Sequence, residues 1–295
     1  MRAARVKKTI LLVSISISLF GCGSDDSRPG VKPGIPSPPN TSTTPNVPKP
    51  PKPPTDTVEP PAVPDDKPNE AVYELVSGIY DGVTGQNEIA EGLVDDKKRL
   101  WVIYSDNDSD GDVLGFVNTN ENIIGNNGEF SVKGKNYSYY YRNAFDMTVT
   151  GDYKTSKVLK GQIFDVPVRS TTYKVDYNEA LSARKQKLSD VKNNKKFFGD
   201  AYITGDPEGG EVTIEFGKNG SFTGIDDYNC EMKGKLTLSS SQRYFDTTVT
   251  FGAANCSAPS ETLTGVALIN EDGELIVLGT DANKSKGIYF GGPEK

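Results

Sequence analysis

From position 72 onward the chain is a succession of short runs of Val, Ile, Tyr, Phe and Thr, punctuated by Gly, Asn and Asp. β-Branched and aromatic residues in brief runs bounded by turn formers mark antiparallel strands. The runs predict strands at 78–83, 89–94, 100–104, 113–117, 129–132, 145–150, 158–164 and 171–177. A second set is expected at 197–204, 211–216, 221–225, 232–238, 245–251, 263–269, 274–280 and 287–290. Asn219-Gly220 and Asp272-Gly273 each stand between two runs, where a two-residue hairpin turn needs positive φ. Between the sets, 176–194 has helical character. Asp176 with Glu179 reads as an N-terminal cap, Ala180, Leu181, Leu188 and Val191 form a narrow apolar stripe, and Lys192, Lys195 and Lys196 complement the C-terminal dipole.

Strands without alternating helices predict an all-β fold: two small antiparallel β-barrel or sandwich lobes joined by a short helix. Eight strands per lobe favour barrels, which close on themselves and leave no long exposed edge. The lobes share sequence. Phe145-Asp146-Met147-Thr148-Val149-Thr150 recurs as Phe245-Asp246-Thr247-Thr248-Val249-Thr250, each followed by a Leu-x-Gly at Leu159 and Leu263. A second likeness, Gly92 to Asp106 with Val266 to Asp281, runs in the opposite order along the chain, so the lobes are permuted or one match is chance.

Before position 72 the pattern is different. Arg2, Arg5, Lys7 and Lys8 precede an apolar run from Ile10 to Phe20, closed by Leu19-Phe20-Gly21-Cys22. The run is too short to span a bilayer and fits the h-region of a secretory signal. It resembles a bacterial lipoprotein signal ending in a Leu-x-Gly-Cys lipobox, with Phe20 where that pattern has a small residue. The resemblance implies cleavage before Cys22 and acylation of Cys22 as the mature N-terminus. It also implies sorting to the outer membrane, because Gly23 and not Asp follows the Cys. Residues 29–68 then hold fifteen of the nineteen prolines. Such a segment forms no core and favours polyproline II, which at ~3.1 Å per residue reaches roughly 120 Å. The expected organisation is a signal peptide at 1–21, a lipid-anchored, disordered Pro-rich linker at 22–71, a first lobe at 72–177, a connecting helix at 178–196 and a second lobe at 197–295.

Removing the signal, with its four basic and no acidic side chains, moves the formal net charge from −7 to about −11. That balance repels phosphate backbones and argues against nucleic acid as a partner. The chain has no histidine, which removes Ser-His and Cys-His nucleophiles and His-ligated zinc. Of three cysteines, Cys230 and Cys256 remain after Cys22, and an exported chain would join them in one structural disulfide.

Several clusters carry candidate chemistry. Asp106, Asp108, Asp110 and Asp112 alternate like the opening of a calcium loop, but Val117 stands where an EF-hand needs Glu, leaving a non-helical calcium site or a solvated acidic loop. Tyr137, Tyr139 and Tyr141 would share one strand face at ~7 Å intervals, either stacking on a sugar or protein partner or packing a barrel wall. Trp101, between Leu100 and Val102, is expected in a core. The pairs Asp95-Asp96 and Asp226-Asp227 are candidates for glycoside hydrolysis only if folding sets them across a sugar bond. In outline the folded region is similar to the two-lobed, lipid-anchored β-barrel lipoproteins of Gram-negative surfaces, such as the transferrin-binding lipoproteins, although no motif carries that family's ligand across. The expected function is a non-enzymatic envelope lipoprotein, held to the membrane by its lipid and binding an envelope or surface protein or glycan without a cofactor. The alternatives are a histidine-free glycan hydrolase, a calcium-dependent adhesin or a structural spacer.

Overall fold

The computed structural model describes residues 73–295 except 109, 110, 126, 156, 167, 168, 207 and 208. The expected signal and linker, with Cys22, and Asp110 lie outside the described residues. Eight strands form a first closed antiparallel barrel in chain order: β1 (Gly78–Thr84), β2 (Glu88–Val94), β3 (Leu100–Asp106), β4 (Val113–Thr119), β5 (Glu129–Ser138), β6 (Asn143–Asp152), β7 (Val158–Val166) and β8 (Arg169–Tyr177). β8 closes the ring on β1, with Tyr177 opposite Tyr80 and Tyr173 opposite Thr84. A second closed barrel follows: β9 (Lys196–Ile203), β10 (Gly210–Phe216), β11 (Ser221–Asp226), β12 (Glu231–Leu238), β13 (Phe245–Phe251), β14 (Thr262–Ile269), β15 (Glu274–Thr280) and β16 (Gly287–Pro293), closed by β16 on β9. All sixteen expected strands are present.

Two-residue alternation builds each interior. In β13, Phe245, Thr247, Val249 and Phe251 point inward while Asp246 and Thr248 face water. Met147, Val149, Phe130 and Val132 do the same in the first barrel, and each barrel has its own apolar core. The repeated Leu-x-Gly has a physical role in both. Leu159 and Leu263 are buried inward, and a Cβ at either Gly161 or Gly265 would stand 1.9 Å from the carbonyl oxygen of a neighbouring strand. Only glycine permits strands to come that close. The repeat does not occupy equivalent strands, however: Phe145 lies in the sixth strand of its barrel and Phe245 begins the fifth of its own.

The helix expected over 176–194 is reduced to five α-helical residues, α1 (Glu179–Ala183), and a 3-10 turn at Leu188–Val191. Asp176 belongs to β8, where it pairs with Asp81 to close the barrel, so no helix can begin before 178. Asn178 is the true cap, its side chain accepting the Leu181 N–H at 2.9 Å. Downstream, Gln186 is drawn onto the end of β14, accepting from the Ile269 N–H at 2.9 Å and donating to the Ile269 carbonyl at 3.2 Å. The two predicted turns differ. Asn219 and Gly220 both have positive φ, whereas at the other only Gly273 does, inside a turn that runs from Asn270 to Glu274.

Candidate functional site

Some strands break the inward–outward alternation because they are apolar on both faces. Leu100, Val117 and Val94 fill the first barrel, while their neighbours Trp101, Phe116 and Leu93 point outward and are nonetheless buried. What covers them is the other barrel. Leu93, Trp101, Phe116 and Tyr137 meet Tyr244, Val266, Leu278 and Tyr289 in one apolar seam. On the second barrel's wall, Val266, Leu278, Tyr289 and Tyr202 are direct cross-strand neighbours over β14, β15, β16 and β9. Cross-strand pairing aligns them into one ridge.

The tyrosine cluster lies at this seam and is not a free row. β5 ends at Ser138, so Tyr139 to Tyr141 lie in a turn and do not continue the strand's alternation. Tyr137 is fully buried, stacked on Phe116 at 4.6 Å, with its hydroxyl donating to the Lys284 carbonyl at 3.4 Å. Tyr139 stacks on Tyr202 of the second barrel at 5.1 Å. Burial pushes both phenols above their ordinary range. Tyr141 is exposed and faces elsewhere. A partner could reach Tyr137 and Tyr139 only by prising the barrels apart, so these two follow the wall-packing reading, and the expectation that all three share one strand face is corrected.

Polar groups rim the seam. Asp95, wholly buried, accepts from the Lys97 and Arg99 N–H groups (both 2.9 Å), from Arg99 Nε (2.8 Å) and from Trp101 Nε1 (3.2 Å). It builds the β2–β3 turn and holds the indole. Its neighbour Asp96 crosses to the second barrel, accepting from the Ser240 hydroxyl (2.8 Å) and the Ser241 N–H (3.0 Å). Burial pushes the Asp96 carboxyl up, but those hydrogen bonds and nearby Arg243 hold it below the usual range. Arg243 donates to the carbonyls of Ser77 (2.6 Å) and Ser182 (3.1 Å). Asp226 organises a turn by accepting from the Tyr228 and Cys230 N–H groups. Asp95, Asp96 and Asp226 therefore have structural work that the sequence did not reveal, and neither pair faces a shared cleft as glycoside hydrolysis requires.

At one end the seam opens into a cleft of about 300 Å³. Its floor is apolar, with Ile79, Leu93, Trp101, Val266 and Ile276 among the lining residues. Asp81 and Glu91 enter from the first barrel, and Glu271, Asp272 and Glu274, the last accepting from the Asn270 side chain at 3.0 Å, from the second. None of the five is ion-paired among the described residues. Burial, then the charges of Asp81, Glu271 and Asp272, push the Glu91 carboxyl up. The cleft's arginines, Arg184 and Arg243, donate to carbonyl oxygens and form no ion pair with these carboxylates among the described residues.

The acidic loop, a candidate calcium site or solvated turn, stands beside the cleft, with Gly111 in its lining. The Asp106 side chain accepts the Asp108 N–H at 2.9 Å, and the Asp106 N–H donates to the Asp112 carbonyl, forming a self-closed turn. Asp110 is outside the described residues, and among those described no group of three acidic or cysteine side chains is arranged to hold a metal ion. Cys230 and Cys256 form a disulfide, with Cα atoms 4.7 Å apart. The apolar runs at 100–104, 113–117, 266–269 and 275–278 were the available signal for the seam, since a strand apolar on both faces is covered on both.

No family model matches the chain, and no curated protein matches it. Among solved structures, one described as intact Ap-TbpB with N and C lobes is similar over 70% of this chain and 66% of that chain, at 11% sequence identity and a TM-score of 0.23. By fold the chain is a two-barrel, all-antiparallel β protein.

Proposed function

We propose that the chain is a non-enzymatic, lipid-anchored lipoprotein of the outer membrane whose two barrels hold a basic envelope or surface protein in the cleft between them. The observation that carries this reading is the cleft itself: five carboxylates from both barrels, without ion-paired partners among the described residues, above an apolar floor. Crowded like charges cost free energy that a bound cationic group recovers, and the apolar floor adds burial to charge complementarity. Ligand sites favour such junctions between domains. The anchor rests on the lipobox and Cys22, with the Pro-rich stretch as the tether that carries the barrels away from the membrane.

Photocrosslinking in intact cells from a reactive side chain placed at Ile276 tests both halves. A captured basic protein is expected from the membrane fraction of the parent. Capture should fall at least tenfold with Glu91→Gln plus Asp272→Asn, and Cys22→Ser should leave the protein uncut or soluble. Equal capture by the neutralised variant would overturn the cleft. Persistence of Cys22→Ser in carbonate-washed membranes would overturn the anchor.

A further inference from the structure

The two barrels have the same topology but fill their interiors differently. Two cavities of the second measure about 40 and about 10 Å³. At the mouth of the first there is room for about 260 Å³. Four polar side chains stand among the apolar lining of its wall, and Glu88, Asn136, Ser138 and Asp165 are all more than nine-tenths buried. Asn136 is the hub, accepting the Tyr104 hydroxyl at 2.9 Å and donating to Asp165 Oδ2 at 2.8 Å. Glu88 accepts the Thr84 hydroxyl at 2.8 Å. Burying polar groups around a void costs stability that an apolar filling would not, and the second barrel shows that the fold does not need it.

Over this wall stands an aromatic rim. Tyr140 and Tyr141 are 76% and 54% exposed, packed edge to face at 4.9 Å, and Tyr141 packs the same way on Phe145 at 5.9 Å. The Tyr141 N–H donates to Ser138 Oγ, which ties the rim to the polar wall. Exposed aromatic faces beside directed donors and acceptors suit a ligand with one C–H face and a girdle of hydroxyls.

We propose that the mouth of the first barrel binds a single hexopyranose ring of a glycan, stacked on Tyr141 and hydrogen-bonded to the network around Asn136. The volume accommodates one ring and not a chain, so a terminal or branching sugar is the unit recognised. A small organic cation is the competing occupant of a pocket with aromatic and acidic walls. The network favours the sugar, because Glu88 and Asp165 are already engaged by Thr84 and Asn136 and present fixed acceptor directions more than open charge. This site is separate from the cleft and does not depend on it.

The test is saturation-transfer NMR on the full mature chain, with the methyl glycosides of glucose, galactose, mannose and N-acetylglucosamine as probes and butylammonium as the cation. At least one glycoside should receive transfer through its ring C–H protons. Tyr141→Ala, at an exposed position, should weaken that signal at least tenfold at unchanged melting temperature, and Glu91→Gln plus Asp272→Asn should leave it intact. The proposal is overturned if no glycoside binds, if Tyr141→Ala binds as well as the parent, or if butylammonium alone binds. Loss of the sugar signal with the cleft variant would place the sugar in the cleft and also overturn it.

Discussion

Glu91 shows how a single side chain reports on the cleft. Its carboxyl is raised above its ordinary value by burial first and by three neighbouring carboxylates after it. A group whose folded pKa lies above its unfolded value disfavours the ionised form in the fold. Its contribution to stability is therefore whole below the ordinary carboxyl range, ~4.3, and is lost as pH rises through the raised value. Glu91→Gln should then raise the melting temperature at pH 7, and the gain should shrink to nothing near pH 4. Parallel thermal melts at the two pH values check this, and an equal gain at both would assign the effect to packing. Sequence alone could not find this group, because Glu91 is one of many acidic residues in an acidic chain and its neighbours Glu271 and Asp272 are far away in sequence. Trp101 was easier to assign. Flanking apolar residues marked it as buried, though only the structure shows that it points out of its barrel into the seam.

At the scale of elements, alternation and turn chemistry made all sixteen strands legible, because each strand faces a core on at least one side. The connection between barrels was harder to read. Its apolar stripe at Leu181, Leu188 and Val191 resembles a helix face, yet Asp176 is taken by barrel closure and Gln186 by β14, leaving only α1 between them. Tertiary pairing overrides a weak helical preference over so short a span. The disulfide was deducible from cysteine count and compartment, and it ties the turn before β12 to the loop between β13 and β14. Closing a loop of 26 residues restricts the unfolded chain by ~3 kcal/mol in the chain-entropy model. Cys230→Ser plus Cys256→Ser should therefore lose about that much in urea unfolding. A loss below ~1 kcal/mol would mean that Cys230, packed in the second core, acts there as a small apolar side chain more than as a link.

For the molecule as a whole, the question is whether two barrels with separate cores unfold as one. The seam argues that they do, since it is apolar, contiguous over four strands on each side and rimmed by Asp96 and Arg243. It includes a close approach at Gly287, where a Cβ would stand 2.4 Å from the Tyr137 ring and 2.8 Å from Phe116. Both rings are fully buried and stacked on each other, so neither can swing aside without opening the seam. Overpacking of this kind costs typically ~1–3 kcal/mol. Because the clash lies between the barrels and in neither core, the cost falls on their coupling. The parent chain should melt calorimetrically in a single transition from residues 73–295. Gly287→Ala should split it in two, the second barrel retaining the higher transition through its disulfide and fuller interior. If the variant keeps one transition at the parental temperature, the seam yields without cost and the barrels are coupled by their connection and polar rim instead.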